Sequence, residues 1–292
     1  MTALRFPAEI AVGEIEWEDA REPHGYGHLL AIGVVEVPDG TAVRLHAYPV
    51  AEITVSNRRG GFFEMPAGAE AMPVAQPREV RERVTWQRDM PDRALRNERG
   101  IWGGPEDGSY SVESGDEPVD LEFLRALPPD SVFDLSLGNV LPSSFPAVGH
   151  LAPGLRELSV YVDNLDDGAA AVIAGLTALE RLSLAGDSAW EEGRRLNDHA
   201  LSMIAGLPAL ESLSLLGGAY IEDGLRQLRR LPKLRHLHVE REGLTAPMFR
   251  FAADMPALTW LSGLDEFGDE GPMAPAEVAQ VRAMLPPRID MG

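Results

Sequence analysis

The sequence predicts an α/β solenoid, with a parallel sheet on its concave side, helices outside, and a small β-rich cap before it. Two observations carry this. A six-residue phrase, apolar at its first, fourth and sixth positions, begins at residues 132, 155, 179, 210, 234 and 258, at intervals of 23, 24, 31, 24 and 24. Between the copies, apolar residues fall three and four apart, the period of a helix. A strand and a helix repeated at this period cannot bury their own apolar faces alone, but stacked copies share one interior. Strands joined through helices pair in parallel.

Residues 1–119 form the cap in this reading. LLAIGVVEV at 29–37 and TAVRLHAY at 41–48 read as two strands joined by a PDG turn into a hairpin, and AEITV at 51–55 as a third strand. A stack of repeats exposes an apolar cross-section and an open sheet edge at its end, which a β cap would cover. Residues 56–119 are rich in Gly, Pro and charge, with a helical period at 78–88 and a loop, GIWGGPEDGSYS, at 100–111.

Residues 120–292 hold the repeats. The phrases read VFDLSL, LRELSV, LERLSL, LESLSL, LRHLHV and a degenerate LTWLSG. Leu155, Leu158, Val160, Leu179, Leu182, Leu184, Leu210, Leu213 and Leu215 are the expected core. Helices are predicted over 165–175, 196–206, 221–230 and 244–254. Asp166, Asn197 and Thr245 stand where an N-cap accepts first-turn N–H groups, and Gly175 and Gly206 where a helix ends in a left-handed residue. Pro208, Pro232 and Pro256 stop each helix from running into the next strand. At Gly263 the third apolar position is lost, which marks the sixth copy as a frayed or capping unit.

LPALESLSLLGG, LTALERLSLAG and the helix opening IEDGL at 221–225 resemble leucine-rich repeats of the ribonuclease-inhibitor-like and bacterial GALA-like subclass. The resemblance covers about residues 120–290. It implies a non-enzymatic protein-interaction module. EVAQVRAMLPPRI at 277–289 resembles the final half-repeat of bacterial relatives, whose last helix leads into a short closing strand. RFP at 5–7 followed by VPDGTAVRL at 37–45 resembles the β-rich flank that precedes such repeats.

The 26 basic and 46 acidic residues give a net charge of −20, with −10 in residues 1–120 and −10 in 121–292. Such a chain repels phosphate backbones and anionic lipid, so the expected partner is another protein, with neither nucleic acid nor a membrane bound. No cysteine is present, which excludes disulfides, thiolate metal sites and cysteine nucleophiles. The N-terminus lacks a signal-peptide pattern and no apolar run is long enough to span a bilayer, so a cytoplasmic location is expected. A single lysine beside 25 arginines has the look of a GC-rich coding genome.

Alternate strand residues point away from the core. The first such column is Asp134, Glu157, Arg181, Ser212, His236 and Trp260. The second is Ser136, Ser159, Ser183, Ser214, His238 and Ser262. The third is Gly138, Tyr161, Ala185, Leu216, Glu240 and Leu264. The candidate partner-binding residues are Tyr161, Arg181, Ser212, Ser214, Leu216, His236, His238, Glu240 and Trp260. Trp190 joins them from the seven-residue insertion around DSAWEEGRRL at 187–196, because insertions in repeat arrays collect on binding faces.

His236, His238 and Glu240 have metal-ligand chemistry, but their neighbours Ser212, Ser214, Trp260 and Ser262 offer no usual zinc ligand. His24 and His28 in EPHGYGH are a second candidate pair, and the alternative function is an enzyme or regulatory subunit with such a centre in the N-terminal region. Nucleophile-elbow, zincin, phosphate-loop and dinucleotide motifs are lacking, so neither catalysis nor a cofactor is expected.

Overall fold

A computed structural model describes residues 2–8, 12–19, 25–39, 41–48, 50–56, 62–66, 109–114, 118–161, 167–185, 197–217, 222–240, 243–264 and 273–291. The chain divides into two compact units, Met1–Leu151 and Ala152–Gly292.

In the N-terminal unit, β1 (Thr2–Arg5) pairs antiparallel with β4 (Val34–Val37). Strand β2 (Gly13–Asp19) lies between β3 (Gly25–Leu30) and β5 (Ala42–Ala47), antiparallel to both. Strand β9 (Asp134–Leu137), the first copy of the repeated phrase, runs parallel to β5. Strand β6 (Val50–Ser56) lies between β7 (Phe62–Pro66) and β8 (Ser109–Ser114). Leu4, Ile15, Leu45, Leu121, Leu124, Leu135 and Phe145 are fully buried. Buried Ser144 holds two chain segments: its hydroxyl accepts from the Leu121 N–H at 2.9 Å and donates to the Leu141 carbonyl at 2.8 Å.

This corrects the predicted hairpin. Residues 29–37 are not one strand, because Gly33 turns the chain with φ +63° between β3 and β4. The strand after the PDG turn pairs with β2 and not with β4. The third predicted strand is present as β6. Ser109–Ser111, read as loop, begin β8. The predicted helix at 78–88 and the rest of the 100–111 loop lie outside the described residues.

The C-terminal unit alternates strand and helix. Its strands are β10 (Glu157–Tyr161), β11 (Arg181–Ala185), β12 (Ser212–Leu216), β13 (His236–Glu240), β14 (Trp260–Ser262) and β15 (Asp290–Met291), each parallel to the next. Between them stand the helices Asp167–Ala174, Asp198–Ile204 and Glu222–Gln227, the 3-10 segment Ala246–Asp254, and the helix Pro275–Met284. All nine core residues expected from the repeat are at most 3% exposed. The helices contribute Ala170, Ile173, Leu201, Ile204, Leu225 and Phe249 to the buried set. The last helix leads into the short strand β15, the order expected for the end of the chain.

The repeat is also visible in the backbone. The Arg156 carbonyl accepts from both Glu180 and Arg181, that of Glu180 from Glu211 and Ser212, that of Glu211 from Arg235 and His236, and that of Arg235 from Thr259 and Trp260. Two N–H groups share one carbonyl at the entry to each of β11, β12, β13 and β14, at the same position of the phrase each time. The ladder therefore keeps its register, Leu182 opposite Leu213 and Leu213 opposite Leu237.

The predicted caps divide. Asn197 caps its helix, its side-chain oxygen accepting from the Ala200 N–H at 3.0 Å. Thr245 makes no side-chain cap bond. Glu277, from the last helix, accepts from the Ala246 N–H there at 2.5 Å, so one helix caps its neighbour. Asp166 lies outside the described residues. Gly175 and Gly206 follow their helices without the expected left-handed backbone; the positive-φ glycines are others. Replacing Asn197 by Ala should lower stability by about 1 kcal/mol, read as a small fall in Tm. An unchanged Tm would mean that water satisfies the Ala200 N–H equally well.

Candidate functional site

The strand face opposite the leucines carries the predicted columns. In the first, Glu157, Arg181, Ser212, His236 and Trp260 are consecutive register partners, and β15 adds Asp290. In the second they are Ser159, Ser183, Ser214, His238 and Ser262. The third runs Tyr161, Ala185, Leu216 and Glu240. Leu264 does not join it. Strand β14 ends at Ser262, Gly263 turns the chain with φ +84°, and Leu264 enters the core at 1% exposure. A positive φ breaks the alternation that would have kept Leu264 outside.

Along the first column, Arg181 Nη1 donates to Glu157 Oε1 at 2.8 Å. The pair is solvent-facing, so it contributes at most about 1 kcal/mol and leaves the guanidinium able to turn to another carboxylate. His236 is exposed, and Trp260 beside it is 39% exposed, one of the few large apolar side chains among the described residues to face solvent. The second column is small and polar, with partly exposed Ser159, Ser183 and Ser214 in adjacent steps.

His238 is held where His236 is not. Its Nδ1 shares a hydrogen bond with Ser262 Oγ at 3.0 Å, and its Nε2 stands 3.6 Å from Glu240 Oε2. The imidazole is thus fixed across two ladder steps. The order hydroxyl, imidazole, carboxylate has the sequence of a hydrolytic triad, but the carboxylate stands beyond hydrogen-bond range. The contact serves as a clasp that holds the ring between Ser262 and Glu240. Among the described residues no group of three His, Cys, Asp or Glu stands close enough to hold a metal ion.

Arg156, Glu180, Glu211, Arg235 and Thr259 form a further row that the sequence columns omitted. Arg156 Nε lies 3.9 Å from Glu180 Oε1, and Arg235 Nε 4.0 Å from Glu211 Oε2. The second position of every phrase was the available signal. Asp290 could have been found from the closing strand. Tyr161 is placed by its backbone register alone, while Trp190 and its insertion lie outside the described residues.

In the N-terminal unit, Asp134 and Ser136 face β5. Arg44 Nε donates to Asp134 Oδ2 at 2.6 Å and its Nη1 reaches Glu16 Oε2 at 3.4 Å. These carboxylates hold the Arg44 guanidinium above its ordinary pKa, the Asp134 hydrogen bond contributing most. Tyr48 donates to Glu14. Burial first, and that acceptor second, push the phenol well above its usual range. His28 stands in β3 opposite Glu16, and His24 lies outside the described residues. Among the described residues no helix is long and apolar enough to cross a membrane.

No protein-family model matches the chain, and no curated protein matches it. Among solved structures, a TLR13–ssRNA13 complex matches at 19% identity and TM-score 0.35, over 48% of this chain and 19% of that one. An internalin (inlF) from Listeria monocytogenes matches at 18% identity and TM-score 0.27, over 51% of this chain and 52% of that one. Both are leucine-rich repeat proteins. The chain spans about a fifth of the first and about half of the second.

Proposed function

We propose that residues 120–292 form a leucine-rich-repeat solenoid whose open strand face captures another protein, without catalysing a reaction. The observation that supports this most is Trp260. Its indole is 39% exposed, in a column with His236 and Arg181. Aromatic and Arg anchors dominate interface energetics. The serine column beside them leaves room for an incoming chain and offers hydroxyls for its polar groups. Ser212, Ser214, Leu216, His238, Glu240 and Tyr161 complete the contact set, with Trp190 at the insertion.

The test is the double substitution Trp260→Ala with His236→Ala. Both side chains are exposed, so the fold should survive. Binding of a captured partner should weaken about thirtyfold or more, measured by calorimetry on the purified pair. If the double variant binds the same partner with unchanged affinity, the open face is not the binding face.

A further inference from the structure

The helix side of the C-terminal unit carries a second surface. Three basic residues, Arg226, Arg229 and Arg230, fall within the helical stretch Glu222–Arg230, and no acid lies between Asp223 and Glu240. In a chain of net charge −20 this is a concentrated exception. It borders a groove of about 210 Å³ between the Glu222–Arg230 stretch and Ala246–Asp254. It is lined by Arg226, Arg229 and Arg250, by Glu222 and Asp254, and by Pro247, Met248 and Phe251, of which Met248 and Phe251 are almost wholly buried.

The three arginines differ. Arg226 is engaged, with Glu222 at 2.7 Å and Asp223 at 3.1 Å. Arg229 and Arg250 are exposed and make no hydrogen bond or ion pair among the described residues. Two unpaired guanidiniums beside half-buried Pro247 and the edges of Met248 and Phe251 fit a carboxylate followed or preceded by an apolar side chain. Asp254 also lines the groove and repels a carboxylate beside it, which leaves Arg229 and Arg250 to receive incoming acids.

We infer that this groove docks an acidic, apolar-bearing peptide segment of a partner protein, at a site separate from the open strand face. A polyanion is disfavoured by the same charge count. Nucleic acid or an anionic bilayer brings many charges within about 8 Å, the screening length at physiological salt, of a surface that is otherwise negative. A short segment brings only those the two arginines receive.

The probe is a fluorescein-labelled peptide of alternating Glu and Leu, followed by anisotropy at low salt. Comparison peptides replace Glu by Gln, or Leu by Ser. The native chain should bind the Glu–Leu peptide at least about tenfold more tightly than either. Arg229→Glu with Arg250→Glu should weaken it at least about tenfold, and Arg229→Gln with Arg250→Gln by less. Circular dichroism confirms that each variant is folded, and the Gln pair serves if the Glu pair is not. Trp260→Ala with His236→Ala should leave peptide affinity unchanged. The inference is overturned if the peptide does not bind, if the arginine variants bind it equally, or if the open-face variant loses it. It is also overturned if single-stranded RNA or phosphatidylserine vesicles bind more tightly than the peptide through the same two arginines.

Discussion

Leu182→Ala and Leu213→Ala should each lower the stability of the C-terminal unit by about 2–5 kcal/mol, seen as a shift of the urea midpoint. Both side chains are at most 2% exposed and they are register partners on β11 and β12. Each therefore loses transfer free energy and leaves a cavity that its neighbours cannot fill, since the next steps, Leu158 and Leu237, are fixed by the same ladder. Because the two cavities adjoin, the double variant should depart from additivity by about 0.5 kcal/mol or more. Ser183→Ala is the internal control. It lies one residue from Leu182 on the opposite face, and should change stability by no more than about 0.5 kcal/mol. Equal effects of Leu182→Ala and Ser183→Ala would mean that the strand buries neither face in preference.

What made this half of the chain legible is that its information is local and repeated. A period-2 phrase recurring every 24 residues fixes the face of each side chain, and the ladder then fixes its neighbours. Arg181, Ser212, His236 and Trp260 could be aligned from text alone for that reason. The reading failed where one dihedral reset the alternation, as at Gly263, and where a helix borrowed its cap, as Ala246 does from Glu277. It failed more broadly in the N-terminal unit. There β4 returns to β1 and β5 pairs with β2, a strand whose GEIEWED composition hid it. Strand partnership there is set by non-local packing, which turn chemistry at PDG does not determine. The Ser262–His238–Glu240 clasp was beyond reach as well. The columns place the three residues side by side, but only coordinates separate a hydrogen bond from a near miss.

Gly13→Ala tests that non-local packing and should destabilise the N-terminal unit by about 3 kcal/mol or more. Gly13 opens β2 opposite Ala47 with φ +135°, and a Cβ built on it would stand 1.9 Å from the His46 carbonyl oxygen and 2.9 Å from that carbonyl carbon. These are backbone atoms of the paired strand, so no rotamer change relieves the clash. The Gly13 carbonyl also accepts from Ala31 at 2.9 Å, and Val12 accepts from Tyr48 at 3.2 Å. Movement of β2 away from β5 would therefore disturb both neighbours and the Tyr48–Glu14 hydrogen bond. Hydrogen exchange should show protection lost in Gly13–Asp19 and Ala42–Ala47. Gly243→Ala separates backbone strain from collision. Gly243 has φ +76° with no atom within 4 Å of a built Cβ, so its substitution should cost only about 1–2 kcal/mol. If the two alanine variants are equally stable, β2 and β5 do not approach at Gly13 as described, and the antiparallel pairing that places Glu16 against Arg44 loses its anchor.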